Sequence, residues 1–326
     1  MPEQPRSRGG AKQLVQRLRS KLHTDLHERL HDLQKSVGDV HGLQVKQSSE
    51  LEHLQARVHR IEAEAHRLTA AARHLYDEEP GNRRRLHQLR QSEEYELAFS
   101  EAEPLVSLII PTYKSFETLR DVALPSVLGQ DYSNLEVIVS GDGAPPETAA
   151  AIAEIDDPRV VYINRTIRGP YSEHPARRWF AIGVPPFGDA LAIARGRWIA
   201  ALGDDDAVRP NHTRDLVAAA QEHRYEHCYG LQEVHFAEGE PLVLGEFPPR
   251  LGHWGLQAAV YHAGLRYFEG ELVDEIFEEP SDWSKCRRMI RAGVRFGMID
   301  TVVVDKHETR RRSAREWTEG EVPVAE

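Results

Sequence analysis

The chain has 326 residues, 40% hydrophobic and 29% charged, enough for one substantial core but with a very polar remainder. Residues 1–104 balance 17 basic against 17 acidic side chains, so the whole net charge of −11 falls on 105–326; that acidic body excludes general nucleic-acid binding, which needs a basic face. Two cysteines without a CxxC spacing, Cys228 and Cys286, exclude a cysteine metal centre and read as reduced thiols of a cytoplasmic protein. With no apolar leader and no run of 18 apolar residues, no transmembrane segment is expected, and peripheral membrane contact stays open.

In chain order, residues 1–12 are basic, contain Pro and Gly, and read as disordered. Residues 13–76 lack proline, and alternating steps of four and three from Leu26 pass through Leu30, Leu33, Val37, Val40, Gln44, Gln47, Leu51, Leu54, Val58, Ile61, Ala65, Leu68, Ala72 and Leu75. A 3.5-residue repeat keeps one stripe facing a partner helix, so this arm is expected to be a long coiled coil joining copies of the chain. The competing reading is an amphipathic helix folded onto the body. Gln44 and Gln47, near Gly38 and Gly42, mark a register device or hinge in the seam. His23, His27 and His31 share a helical face, as metal ligands or as solvent-facing rings. Residues 77–104, charged and interrupted by Pro80 and Gly81, read as a linker or neck.

The body opens with the strand Leu105–Ile110, then a helix from Phe116 to Leu128 bent or shortened at Pro125. A strand Leu135–Val139, a helix Pro145–Ile155 and a strand Val160–Ile163 come next, an alternation that specifies a mostly parallel sheet. Residues 165–190 are rich in Pro and Gly and carry Arg165, Arg168, Arg177 and Arg178; they read as a long loop, either phosphate-binding or a surface excursion. After a short helix at Ala190–Ala194, the apolar run Trp198–Leu202 stops at Gly203 and meets Asp204, Asp205 and Asp206. Three adjacent acids repel, so they are either a solvated turn or a site for Mg²⁺ or Mn²⁺, which favour oxygen ligands and hold substrate phosphates. Further on come a helix at 213–223, a mixed segment to Phe236, a loop at 237–253, an apolar segment Leu256–Tyr267, a helix Trp283–Ala292 and a strand Val294–Val304. Residues 311–326 are a charged tail.

Four stretches occur in order that resemble family 2 glycosyltransferases of GT-A fold: VSLIIPTY at 106–113, EVIVSGDG at 136–143, ARGRWIAALGDDDAVRP at 194–210 and PSDWSKCRRMIRAG at 280–293. The resemblance implies an α/β fold for 105–310, a mostly parallel sheet flanked by helices and preceded by the helical coiled coil. It implies transfer of a sugar from a nucleotide-diphospho-sugar to a glycan or other hydroxyl acceptor, with inversion. Asp142 would bind the base, Thr112 and Tyr113 would line its pocket, and Arg168 and Asp204 would complete the donor site. Asp205 and Asp206 would hold Mn²⁺ or Mg²⁺, with His307 resembling a third ligand. Asp282 would be the general base, with the helix N-terminus as its alternative role and Glu278 and Glu279 as the nearest substitutes. Four positions depart from the pattern: Gly203, Gly141 and Ser281 stand where acids are usual, and Lys114 where Asn is usual.

Two other functions fit less of the pattern. A nucleotidyltransferase would want a Gly-rich basic loop after the first strand, where Pro111-Thr112-Tyr113-Lys114-Ser115 has no glycine. A non-catalytic coiled-coil scaffold with a degenerate domain would account for the missing acids. Trp254, Tyr261 and Tyr267 are candidates either for stacking on an acceptor sugar or for the core.

Overall fold

The computed structural model describes residues 9–277 and 279–308, so the readings at 1–8, at Glu278 and at 311–326 lie outside the described residues. The chain divides into two compact units, Met1–Arg67 and Leu68–Glu326. In the first, helix α1 (Gly9–Leu89) is continuous through Gly38 and Gly42, because a glycine costs a helix interior only about 1 kcal/mol relative to alanine. Leu30, Leu33, Val37, Leu51, Leu54 and Ile61 are all more than half exposed. His31 is exposed, and the rings of His23 and His27 lie outside the described side chains.

In the second unit α1 runs on through Pro80, and its last turns carry buried Leu86. Just beyond, Arg90 grips the buried Glu226 carboxylate with hydrogen bonds of 2.7 and 2.8 Å. Helix α2 (Glu93–Ser100), capped by Ser92, adds the Tyr95 hydroxyl to the same carboxylate at 2.9 Å. Within the stretch read as a linker or neck, Leu86 to Ser100 is thus largely helical and packed. The Arg90 charge is matched by a buried acid more than a hundred residues away, which local composition cannot reveal.

Strand β1 (Val106–Thr112) alternates: Val106, Leu108 and Ile110 enter one core cluster and Ile109 the other, as a two-residue strand period requires. Helix α3 (Phe116–Thr118) leads through a π turn at Leu119–Ala123 into α4 (Leu124–Leu128). The Leu124 N–H reaches back five residues to the Leu119 carbonyl, just before Pro125, which has no N–H to give. Strand β2 (Leu135–Gly141), helix α5 (Pro146–Ile155) and strand β3 (Val160–Asn164) come next, as expected.

The region 165–190 is less irregular than its composition suggests. It holds α6 (Pro175–Ala181) and most of α7 (Val184–Ile193). Pro175 and Pro185 lie in first turns, where a missing N–H and a fixed φ suit helix initiation. Gly183, at φ 86°, makes the corner between the two helices. The chain continues with β4 (Trp198–Ala201), β5 (Ala207–Val208), α8 (His212–His223), β6 (His227–Phe236), β7 (Leu242–Leu244), β8 (Ala259–His262), α9 (Ser281–Ala292) and β9 (Phe296–Glu308).

The sheet order is β3-β2-β1-β4-β8-β6-β9-β5, with β7 beside β6. The first four strands are parallel to their neighbours. Beyond β4 the sheet is mixed: β8 runs antiparallel to β4 and β6, β7 to β6 and β5 to β9, while β9 is parallel to β6. The apolar segment at 256–267 supplies the wedge β8 between two short helical turns. Among the described residues no helix is long and apolar enough to cross a membrane.

Candidate active site

The carboxyl ends of parallel strands are where open α/β sheets place ligands. The register sets Thr112 beside Gly141, so Tyr113 and Asp142 leave adjacent strands together, and the Asp142 N–H donates to the Thr112 carbonyl at 2.8 Å. Thr112, Tyr113, Asp142, Arg168 and Asp204 are brought into one neighbourhood. The Thr112 hydroxyl donates to Asp204 Oδ2 at 2.7 Å. Burial pushes the Asp204 carboxyl up to about 6, against that hydrogen bond, with the adjacent Asp205 charge pushing the same way as burial. Arg168 lies 3.9 Å over the Tyr113 ring, with Nε 3.7 Å from Asp142. Asp142 also accepts the Gly169 N–H at 2.9 Å and the Tyr171 hydroxyl at 2.6 Å.

The acid cluster lies just past β4 at the same sheet end. Glycine at 203 has a steric cause: a Cβ there would lie 2.8 Å from Asp206 Oδ2 and 3.1 Å from Asp205 Oδ1. Two carboxylates thus fold over one bare position, and an all-oxygen pair of this kind suits a hard divalent cation that keeps waters and substrate phosphates as its other ligands. The expected third ligand is not gathered with them. The ring of His307 is exposed and stacks on His235 with centroids 5.3 Å apart, and it is the His307 main-chain N–H that reaches Asp206 Oδ1, at 2.8 Å. Among the described residues, the set of three or more possible ligands with atoms within 4.8 Å of one another is Glu233, His235 and Asp305. Arg209 bridges its two carboxylates at 2.9 Å each, which supplies positive charge without a metal.

A cavity of about 340 Å³ opens between the β4 end and α9, lined by Gly203, Asp206 and Lys306 on one side and Asp282, Trp283 and Lys285 on the other. Trp179, Phe187 and Trp254 add aromatic wall. Asp282 lies in the first turn of α9 and accepts the Trp283 N–H at 2.8 Å; the helix starts at Ser281 with Pro280 at the cap position, so Asp282 is not the N-cap that its place before Trp283 suggested. Burial pushes its carboxyl up, opposed by that N–H and by the Lys306 and Lys285 charges. Glu279 is instead tied to Arg287 at 2.6 and 2.9 Å. Of the three candidate stacking rings, Trp254 lines the cavity; Tyr261 is fully buried in β8, and Tyr267 hydrogen-bonds the Asn82 carbonyl at 3.3 Å.

Sequence reasoning missed Lys285. It is 3% exposed, donates to the Tyr261 hydroxyl at 2.8 Å and is pushed down to about 7, chiefly by burial. Its signal was available: a lysine three residues after Asp282 shares that residue's helical face. Tyr171 was also missed, and no local pattern marks it.

Residues 107–172 match the sequence model of the family described as glycosyl transferase family 2. The chain is similar to the succinoglycan biosynthesis protein ExoO of Rhizobium meliloti, 34% identical over 36% of this chain and 30% of the relative. It is also similar to the GalNAc(5)-diNAcBac-PP-undecaprenol beta-1,3-glucosyltransferase of Campylobacter jejuni, 28% identical over 39% of this chain and 38% of the relative. Matches of this kind span about a third of the relatives' own lengths. Among solved structures, residues 1–349 of S. aureus TarS in complex with UDP share the fold, with a TM-score of 0.50 and 17% identity over 63% of this chain and 60% of that one.

Proposed function

We propose that this chain, whose residues 107–172 match the glycosyl transferase family 2 model, transfers a sugar from a nucleotide-diphospho-sugar to a hydroxyl acceptor, with inversion at the anomeric carbon. The observation that carries this is the shared cavity: Asp206, just past β4, and Asp282, at the start of α9, line one open cleft of about 340 Å³. Tyr113, Asp142 and Arg168 hold the nucleoside end, outside that cavity. Asp205 and Asp206 hold Mn²⁺ or Mg²⁺, and His307 orients Asp206 through its main chain. When bound, such an ion supplies positive charge for the departing diphosphate. Asp282 accepts the acceptor hydroxyl's proton, and its raised pKa places it nearer to neutrality than an ordinary aspartate, which favours a general base. The aromatic wall offers faces for a sugar ring. Glycan acceptors are supported by the relatives' names, one of which acts on a polyprenol-diphosphate glycan.

The exposed stripe on α1 is assigned to a second copy of this chain, as a coiled coil, and the body at 105–310 to catalysis. A cytoplasmic setting is supported by two buried, unpaired cysteines. Thermal shift with a panel of nucleotides and nucleotide-sugars, with and without Mn²⁺, tests the donor site, because ligands of the native state raise its melting point. A metal-dependent rise with one nucleotide class is expected; no rise with any donor, together with no nucleotide release, refutes the enzyme reading. Light scattering on Leu54→Glu tests the arm: an oligomer that becomes a monomer is expected, and a monomeric parent chain rejects the coiled coil.

A further inference from the structure

The base-binding carboxylate is already in use. The Tyr171 hydroxyl donates to Asp142 Oδ2 at 2.6 Å and the Gly169 N–H to Oδ1 at 2.9 Å. The face of Tyr113, on which a base would stack, carries the Arg168 guanidinium at 3.9 Å. A nucleobase recognised by a carboxylate and a tyrosine makes two contacts, an N–H to the acid and a flat π face against the ring. Here a phenol O–H makes the first and a planar guanidinium the second. The segment bearing both groups is tightly seated. A Cβ on Gly143 would meet the Arg168 nitrogen at 3.0 Å, and one on Gly169 would meet the Tyr171 ring at 2.8 Å. The Tyr171 oxygen in turn accepts the Gly183 N–H at 3.2 Å, which joins the segment to the corner before α7. Burial and the Asp142 carboxylate push the Tyr171 phenol up, so it remains a proton donor throughout the neutral range. Arg165, with Nε 3.6 Å from Asp142 and its guanidinium also on Asp189, completes the charge around the carboxylate.

We propose that Tyr171, seconded by Arg168, is an internal stand-in for the nucleobase, competing with it for Asp142 and thereby setting the affinity of the donor pocket. This rests on the reading of Asp142 as the base-binding residue. Donor binding then requires the 168–171 segment to withdraw, with the Tyr171 hydroxyl leaving Asp142 and the Arg168 plane leaving Tyr113. A substrate whose base replaces both contacts is selected over a nucleotide that can replace only one.

Calorimetry with UDP and with GDP, in the presence of Mn²⁺, decides the matter. Tyr171→Phe keeps the ring and removes the donor, and is expected to tighten binding of one of these nucleotides by about tenfold, the worth of one hydrogen bond to a charged acceptor. Gly169→Ala, whose new methyl group runs into the Tyr171 ring, is expected to tighten it too. Unchanged, weaker or undetectable binding of both nucleotides by a folded Tyr171→Phe chain overturns the competition. Asp142→Asn, placed in the Tyr171→Phe background, separates the two layers. If it abolishes the gained binding, both stand. If binding falls with Asp142→Asn but never rose with Tyr171→Phe, competition alone is rejected. If Asp142→Asn changes nothing, the base-site reading itself fails and the proposal with it.

Discussion

The parallel and mixed halves of the sheet both present carboxylates, but they treat them differently. At the parallel end, Asp142 is held by the chain's own donors, the Tyr171 hydroxyl at 2.6 Å and the Gly169 N–H at 2.9 Å. Where β4 meets the mixed half, Asp206 and Asp282 border an aromatic cavity together with Lys285 and Lys306. A carboxylate fixed by several donors is a recognition element whose direction is set. One desolvated in a cavity, with a cation a helical turn away, can exchange a proton. Glu226 supplies the internal control: burial pushes its carboxyl up, but Arg90, the Arg295 N–H and Tyr95 prevail and hold it below the usual range.

The strongest way to break this comparison is Asp282→Asn. Turnover is expected to fall by about 10²- to 10⁴-fold, the usual worth of a general base, while calorimetric nucleotide binding stays unchanged. Unchanged turnover would move the chemistry elsewhere in the cavity. Next is the control. Arg90→Ala leaves the fully buried Glu226 without its bidentate partner and is expected to cost about 3–5 kcal/mol in denaturant unfolding. Because the folded pKa of Glu226 is depressed, its stabilisation is present above the ordinary carboxylate range and lost as pH falls through the lowered value. The gap between parent and variant should therefore close on acidification.

Lys285→Met sharpens the contrast. Below about 7 the parent's Lys285 is charged and helps Asp282 ionise; above that it is neutral. Removing it should move the acidic limb of the pH–rate profile upward, with the two profiles converging at alkaline pH. A uniform loss across pH would mean that Lys285 only supports the fold. The smallest effect is expected for Gly203→Ala, which crowds the Asp206 and Asp205 carboxylates from 2.8 and 3.1 Å respectively. Mn²⁺ affinity should weaken on the order of tenfold, with turnover restored by excess metal. Unaltered affinity would place the ion away from this pair.

The amino-acid order alone determined the features that depend on neighbours along the chain. The heptad stripe of α1, the stop of β4 and the start of α9 are written in local periodicity and turn residues, and these placed the three aspartates and Asp282 at element ends; β1 and β2 run two residues past the ends expected at Ile110 and Val139, to Thr112 and Gly141. Only the tertiary structure decided what meets across the sheet. Arg90 and Tyr95 are anchored because the buried Glu226 lies between them. The mixed half exists because β8 wedges beside β4. His307 turns its ring to His235, Lys285 shares a cavity with Asp282, and Tyr171 reaches Asp142 from 29 residues away. Such partners are chosen by shape and charge in three dimensions, which a one-dimensional pattern of apolar and polar residues does not encode.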